Sequence, residues 1–79
     1  MIQNLIGTST TLIDTTTDSN YIYIGVAGVY KNLAIPTNSD NWKITRITLV
    51  DGKATEIKNA YADNQQYFKW DDRATLNYI

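Results

Sequence analysis

The stretch Trp42-Lys43-Ile44-Thr45-Arg46-Ile47-Thr48-Leu49-Val50-Asp51-Gly52-Lys53-Ala54-Thr55-Glu56-Ile57-Lys58 decides the fold class. Trp42, Ile44, Arg46, Thr48 and Val50 alternate with Lys43, Thr45, Ile47 and Leu49, the period-two pattern of a strand. Asp51-Gly52 then separates two strand-like runs. That pair suits a type I′ turn, which needs positive φ at both central residues. The segment therefore predicts an antiparallel hairpin, Trp42–Val50 against Lys53–Lys58.

The same rhythm extends outward. Thr8 to Ile13 is rich in β-branched residues and predicts a first strand. Asp14 to Asn20, with three successive threonines and Asp18-Ser19-Asn20, predicts a loop whose side chains bond back to their own backbone. Tyr21 to Val26 predicts a strand with Tyr21 and Tyr23 on one face and Ile22, Ile24 and Val26 on the other. Gly25 falls on the tyrosine face, which suggests a bulge or a close backbone approach.

Residues 27–41 read as a long irregular loop, punctuated by Gly28 and Pro36 and carrying the apolar residues Val29, Tyr30, Leu33 and Ile35. Residues 59–66 show no sustained helical period. Tyr67 to Trp70 resumes a strand, Asp71-Asp72 makes a turn, and Thr75 to Ile79 predicts a last strand. The expectation is one domain over 1–79: a small antiparallel β-sandwich or partly open barrel of five to six strands. Residues 1–7 read as an arm, flexible or docked on a partner.

At 79 residues, without cysteine or histidine, the chain lacks the disulfides and the usual zinc ligands that stabilise many small domains. Six Tyr, two Trp and one Phe supply core area instead. Association with copies of itself or with a larger body is the remaining route to stability. Seven basic and eight acidic residues give a net charge of −1, and no basic cluster forms a nucleic-acid footprint. No apolar run reaches the length of a membrane span. The start has neither the positive region nor the apolar length of a secretory signal, so the expected location is a cytosol or a particle assembled there.

Catalysis lacks its usual instruments. Histidine, the commonest general base, is absent, and so is a cysteine nucleophile. Adjacent Asp71 and Asp72 fall short of the ligand count that a calcium or magnesium site needs. Gly25-x-x-Gly28 lacks the rest of a phosphate loop. The expectation is a non-enzyme with no metal and no cofactor. Asp71-Asp72-Arg73 reads as a local clasp of arginine and carboxylate, with Arg46 as a second cation on the Trp42 face. Trp42 and Trp70 read as core anchors. Six tyrosines exceed the needs of so small a core, which marks Tyr21, Tyr23 and Tyr30, with Leu33 and Ile35, as candidate partner-binding residues.

Three motifs occur in order: Tyr23-Ile24-Gly25-x-Ala27, then Trp42-x-Ile44-x-Arg46-Ile47, then Trp70-Asp71-Asp72-Arg73-Ala74-x-Leu76-x-Tyr78. Together they resemble a family of small structural proteins and domains of tailed bacteriophages, whose pattern is Y-I-G-x-A, W-x-I-x-R-I and W-D-D-R-A-S-L-x-Y. The likeness covers about residues 21–78. Tyr61-Ala62-Asp63-Asn64 resembles the family's W-A-D-G, with Asn64 replacing glycine at a left-handed position, a mild exchange. Its spacing to Trp70 is shorter than the family's. The resemblance implies a virion component assembled in the host bacterial cytoplasm: capsid-associated, neck, tail or fibre. Its partners would be other virion proteins and copies of itself. Two other classes fit the composition: a glycan- or receptor-binding module of a tail fibre, with tyrosines as stacking platforms, and a small phage-encoded regulator of a host protein.

Overall fold

The computed structural model describes residues 9–28 and 35–79. The proposed arm at 1–7, the start of the first strand at Thr8, and Tyr30 and Leu33 lie outside that range. The chain is all-β. Four antiparallel strands, β1 (Ser9–Asp14), β2 (Tyr21–Gly28), β3 (Lys43–Val50) and β4 (Lys53–Asn59), form one open sheet in the order β1-β2-β3-β4. A single 3-10 turn, Trp70–Asp72, interrupts the C-terminal segment.

Each connection follows from its turn chemistry. Asp51 and Gly52 take φ of 55° and 78°, as a type I′ turn between β3 and β4 requires. Three residues beyond it, at Thr55, β4 carries an extra residue opposite Thr48/Leu49, a bulge that strengthens the local twist. Between β1 and β2, the Asp14 carboxylate accepts the backbone N–H groups of Thr16 (2.9 Å) and Thr17 (3.1 Å). Asp18 accepts that of Asn20 at 2.8 Å. These bonds give the loop its backbone partners locally. Asn64 takes φ of 58° in the Ala62–Gln65 turn, the left-handed conformation that its likeness to a glycine position implied.

The strand count is lower than expected, and a second sheet is absent among the described residues. Tyr67–Trp70 pairs with the sheet only through Phe68 and Trp42, whose backbones exchange bonds of 2.8 and 3.0 Å. Beyond that point the Asp71 N–H turns to the Thr37 carbonyl, and successive bonds Asp72→Lys69, Arg73→Trp70 and Thr75→Asp72 coil the chain. The last strand likewise shrinks to one bridge, Ala60–Tyr78, flanked by bonds between Asn59 and Ile79. Coiling spends the backbone donors that a fifth and sixth strand would need.

The core lies on one face of the sheet. Tyr23, Gly25 and Ala27 of β2 face Ile44 of β3 and the adjoining Trp42, and Phe68 and Trp70 descend on them from the C-terminal segment. Trp42 and Ile44 are 1% exposed and Trp70 is 7% exposed. Gly25 makes this closure possible. A Cβ there would stand 2.5 Å from Cε3 of Trp70 and 3.2 Å from Cε3 of Trp42. The register through Gly25 is continuous, so the glycine serves a close approach and not a bulge. The indoles of Trp42 and Trp70 meet at 6.1 Å and 44°, and the Trp42 N–H donates to the Pro36 carbonyl at 3.0 Å.

Candidate contact surface

The covered face ends in an electrostatic clasp. Arg73 leaves the 3-10 turn with its guanidinium carbon 4.5 Å from the Trp70 ring centroid. Its Nε donates to Asp14 Oδ2 at 2.8 Å, Nη1 to the Trp70 carbonyl at 3.0 Å, and Nη2 to the Thr17 hydroxyl at 3.4 Å. Tyr78 donates its hydroxyl to the Arg73 carbonyl at 2.7 Å. One arginine thus fastens the C-terminal segment to the end of β1 and to the following loop. The Thr17 hydroxyl, the Thr16 N–H and the Arg73 guanidinium hold the Asp14 carboxyl well below the usual carboxylate range, against the opposing effect of burial.

This corrects the expected clasp. The acid that receives Arg73 is Asp14, 59 residues away in sequence, while Asp71 and Asp72 stay exposed in the 3-10 turn. The guanidinium's partners are Asp14, the Trp70 carbonyl and the Thr17 hydroxyl, with neither adjacent carboxylate among them. Arg46 has no acid partner among the described residues; it stacks between the rings of Tyr21 and Tyr78, at 4.4 and 4.6 Å. Its Nε is buried without an acceptor, so the two aromatic faces are its main compensation.

The tyrosines also sit differently from the expectation. Tyr23 is 3% exposed and belongs to the core. Tyr21 and Ile35 are partly buried against that core, and Tyr78 is packed there as well. Tyr23 and Tyr78 rings lie 6.2 Å apart, and burial, reinforced by Tyr23, pushes the Tyr78 hydroxyl up to about 12. The tyrosine face of β2 is therefore the inward one. Two tryptophans and Gly25 outweigh the aliphatic count of the other side, because the aromatics carry more buriable area per residue. Tyr61 and Tyr67 are the exposed tyrosines of the described residues.

The sheet's other face is the open one, and it is aliphatic. The register sets Ile13 beside Ile24, and Ile22, Ile47 and Ile57 in one row across β2, β3 and β4. Ile13 is 65% and Ile57 68% exposed, with Val26 also exposed and Leu49 partly so. By the strand alternation Lys43 is the one charged side chain that the described strands place on this face, at the end where β3 begins. No described segment lies across it. Near Lys43 the face runs into an open depression of about 490 Å³ lined by Asn59, Ala60, Tyr61, Gln66 and Ile79.

Contiguous apolar patches of this kind are uncommon on isolated soluble domains and mark interaction sites. Sequence reading missed this one because it looked for the contact residues among the tyrosines, Tyr21 and Tyr23 included, on the other face of β2. Among the described residues no three His, Cys, Asp or Glu side chains come together as they would to hold a metal ion. No protein-family model matches this chain, and no curated protein or solved structure does so either.

Proposed function

We propose that this chain is a non-enzymatic structural protein of a tailed-bacteriophage virion, capsid-associated or in the neck, tail or fibre, working through protein–protein contacts. The observation that carries the reading is the open aliphatic face of the sheet, about seven side chains wide in its apolar content and nearly free of charge. A surface of that composition is stabilised when another protein removes it from water, at roughly 25 cal/mol per Å² of apolar area. The three sequence motifs support the phage assignment. All three meet in the core, where Gly25 and Trp42 receive Trp70, so they describe how the scaffold closes and leave the opposite face for contacts.

Mass spectrometry of purified particles tests the proposal. A virion component is present at a fixed, multiple copy number after the particles are banded and washed. Its absence from particles, with the protein abundant in the infected cell, would instead favour a regulator of a host protein.

A second reading draws on one specific feature. Tyr61, 44% exposed, stands at the depression beside Asn59 and Gln66, an aromatic with amide neighbours of the kind that bind sugars. Glycan-array binding that disappears in Tyr61→Ala would favour a receptor-binding module of a tail fibre.

A further inference from the structure

We infer that the open face of the sheet is a homodimer interface, on which a second copy of this chain stacks its own open face to complete a two-sheet sandwich. The inference rests on the contact role proposed above and names the first partner of that surface.

Thickness points to a missing layer. The shortest dimension of the molecule is 17 Å, room for one sheet and the C-terminal segment packed on it. Stacked sheets sit about 10 Å apart, with inner side chains interdigitating from both sides. Among the described residues one of those two positions is filled and the other is bare.

The chemistry of the face selects the occupant. Ile13, Ile22, Ile24, Val26, Ile47 and Ile57 form pleated ridges without any acid among them, and Lys43 lies at one end. Such a surface offers no charge pattern by which to recognise a charged partner. Its complement is another twisted, β-branched sheet face, and the chain's own copy is one. A two-fold axis lying across the strands sets the two Lys43 side chains at opposite ends, apart from each other and at the rim.

Area agrees with a modest dimer. Four strands at about 4.8 Å spacing and five residues at about 3.3 Å give a face of roughly 19 by 17 Å. With side-chain relief, two such faces bury about 1,000–1,200 Å² in total, the lower bound of specific interfaces.

At the β4 edge, strand-to-strand pairing competes less well. The β4 edge carries Lys53, Glu56 and Lys58 and a bulge, devices that oppose strand addition. Its far end is already bonded to Ile79 through Asn59.

Sedimentation velocity of the 79-residue chain from 1 to 300 μM is the test. The expected result is a concentration-dependent species of twice 9.0 kDa. Ile57→Lys and Ile13→Lys, at positions already exposed in the monomer, each raise the dissociation constant at least tenfold while circular dichroism keeps its β signature. Glu56→Lys, on the opposite side of β4, leaves it unchanged. A wild-type monomer throughout that range would overturn the inference, as would a dimer indifferent to both lysines. So would lysine variants that unfold instead of dissociating, since the face would then be covered within one chain. A monomer found in many copies in particles would overturn the dimer and leave the virion role standing.

Discussion

The two faces of the sheet share the same four strands but are built on different rules. One face is crowded and specific: Gly25 is bare so that Trp70 can touch β2, and Arg73 reaches across to Asp14. The other is aliphatic, repetitive and open, with Ile13 and Ile57 about two-thirds exposed. The covered face specifies the monomer's fold through a few irreplaceable contacts. The open face contributes little until something else stands on it. Substitutions should therefore separate sharply by face, although their positions alternate along each strand.

Trp70→Ala gives the largest expected loss, about 4 kcal/mol, because a buried indole leaves both a cavity and lost transfer energy. That is a major share of the 5–15 kcal/mol typical of a whole domain. Urea denaturation followed by far-ultraviolet circular dichroism measures it, and a folded variant of near wild-type midpoint would break the contrast.

Asp14→Asn comes next, at about 2–3 kcal/mol, since it strands a mostly buried Arg73 without its charge partner. The same pair sets an acid limb. With its folded pKa depressed, Asp14 contributes stability that is complete above the ordinary value of about 3.9 and lost as pH falls toward the lower folded one. Thermal midpoints between pH 6 and 2 should fall more steeply for the wild type than for Asp14→Asn.

Tyr78→Phe removes the bond to the Arg73 carbonyl and costs about 1 kcal/mol. Because burial raises the Tyr78 pKa to about 12, its contribution is complete below about pH 10 and fades as pH rises through 12. Phenylalanine there should flatten the alkaline limb of the same midpoint curve.

Ile57→Thr on the open face has the smallest expected effect, within about 0.5 kcal/mol at submicromolar concentration, where the chain is monomeric. A loss comparable to that of Trp70→Ala would mean the open face is covered from within.

The sequence made some of this legible and hid the rest. Asp51-Gly52 announced the β3–β4 hairpin because only certain residues accept two positive φ angles in succession. Gly25 among the tyrosines announced a bulge or a close approach, and only the structure shows that it is the latter and that Trp70, 45 positions on, is what approaches. The loop after Asp14 was readable for its turn chemistry, while Asp14's bond to Arg73 was not, because nothing in local pattern ties positions 59 residues apart. Tyr21 and Tyr23 were expected at a contact surface and lie in or against the core for a related reason. Alternation reveals that two faces exist, and which one turns inward depends on what the distant C-terminal segment brings to it. That same segment was expected to add strands, and its i→i+3 turns hold it to single bridges instead.

The two glycines of β2 test the central claim most directly. A methyl group at Gly25 collides with Trp70 at 2.5 Å, whereas at Gly28 nothing lies within 4 Å. Urea denaturation of Gly25→Ala and Gly28→Ala, side by side, should show a loss of about 3 kcal/mol for the first, at the upper end of overpacking costs. The second should be neutral or gain a few tenths of a kcal/mol, about what a glycine-to-alanine exchange gives in unstrained backbone. Equal midpoints for the two variants would contradict a sheet closed on one face by the C-terminal tryptophan.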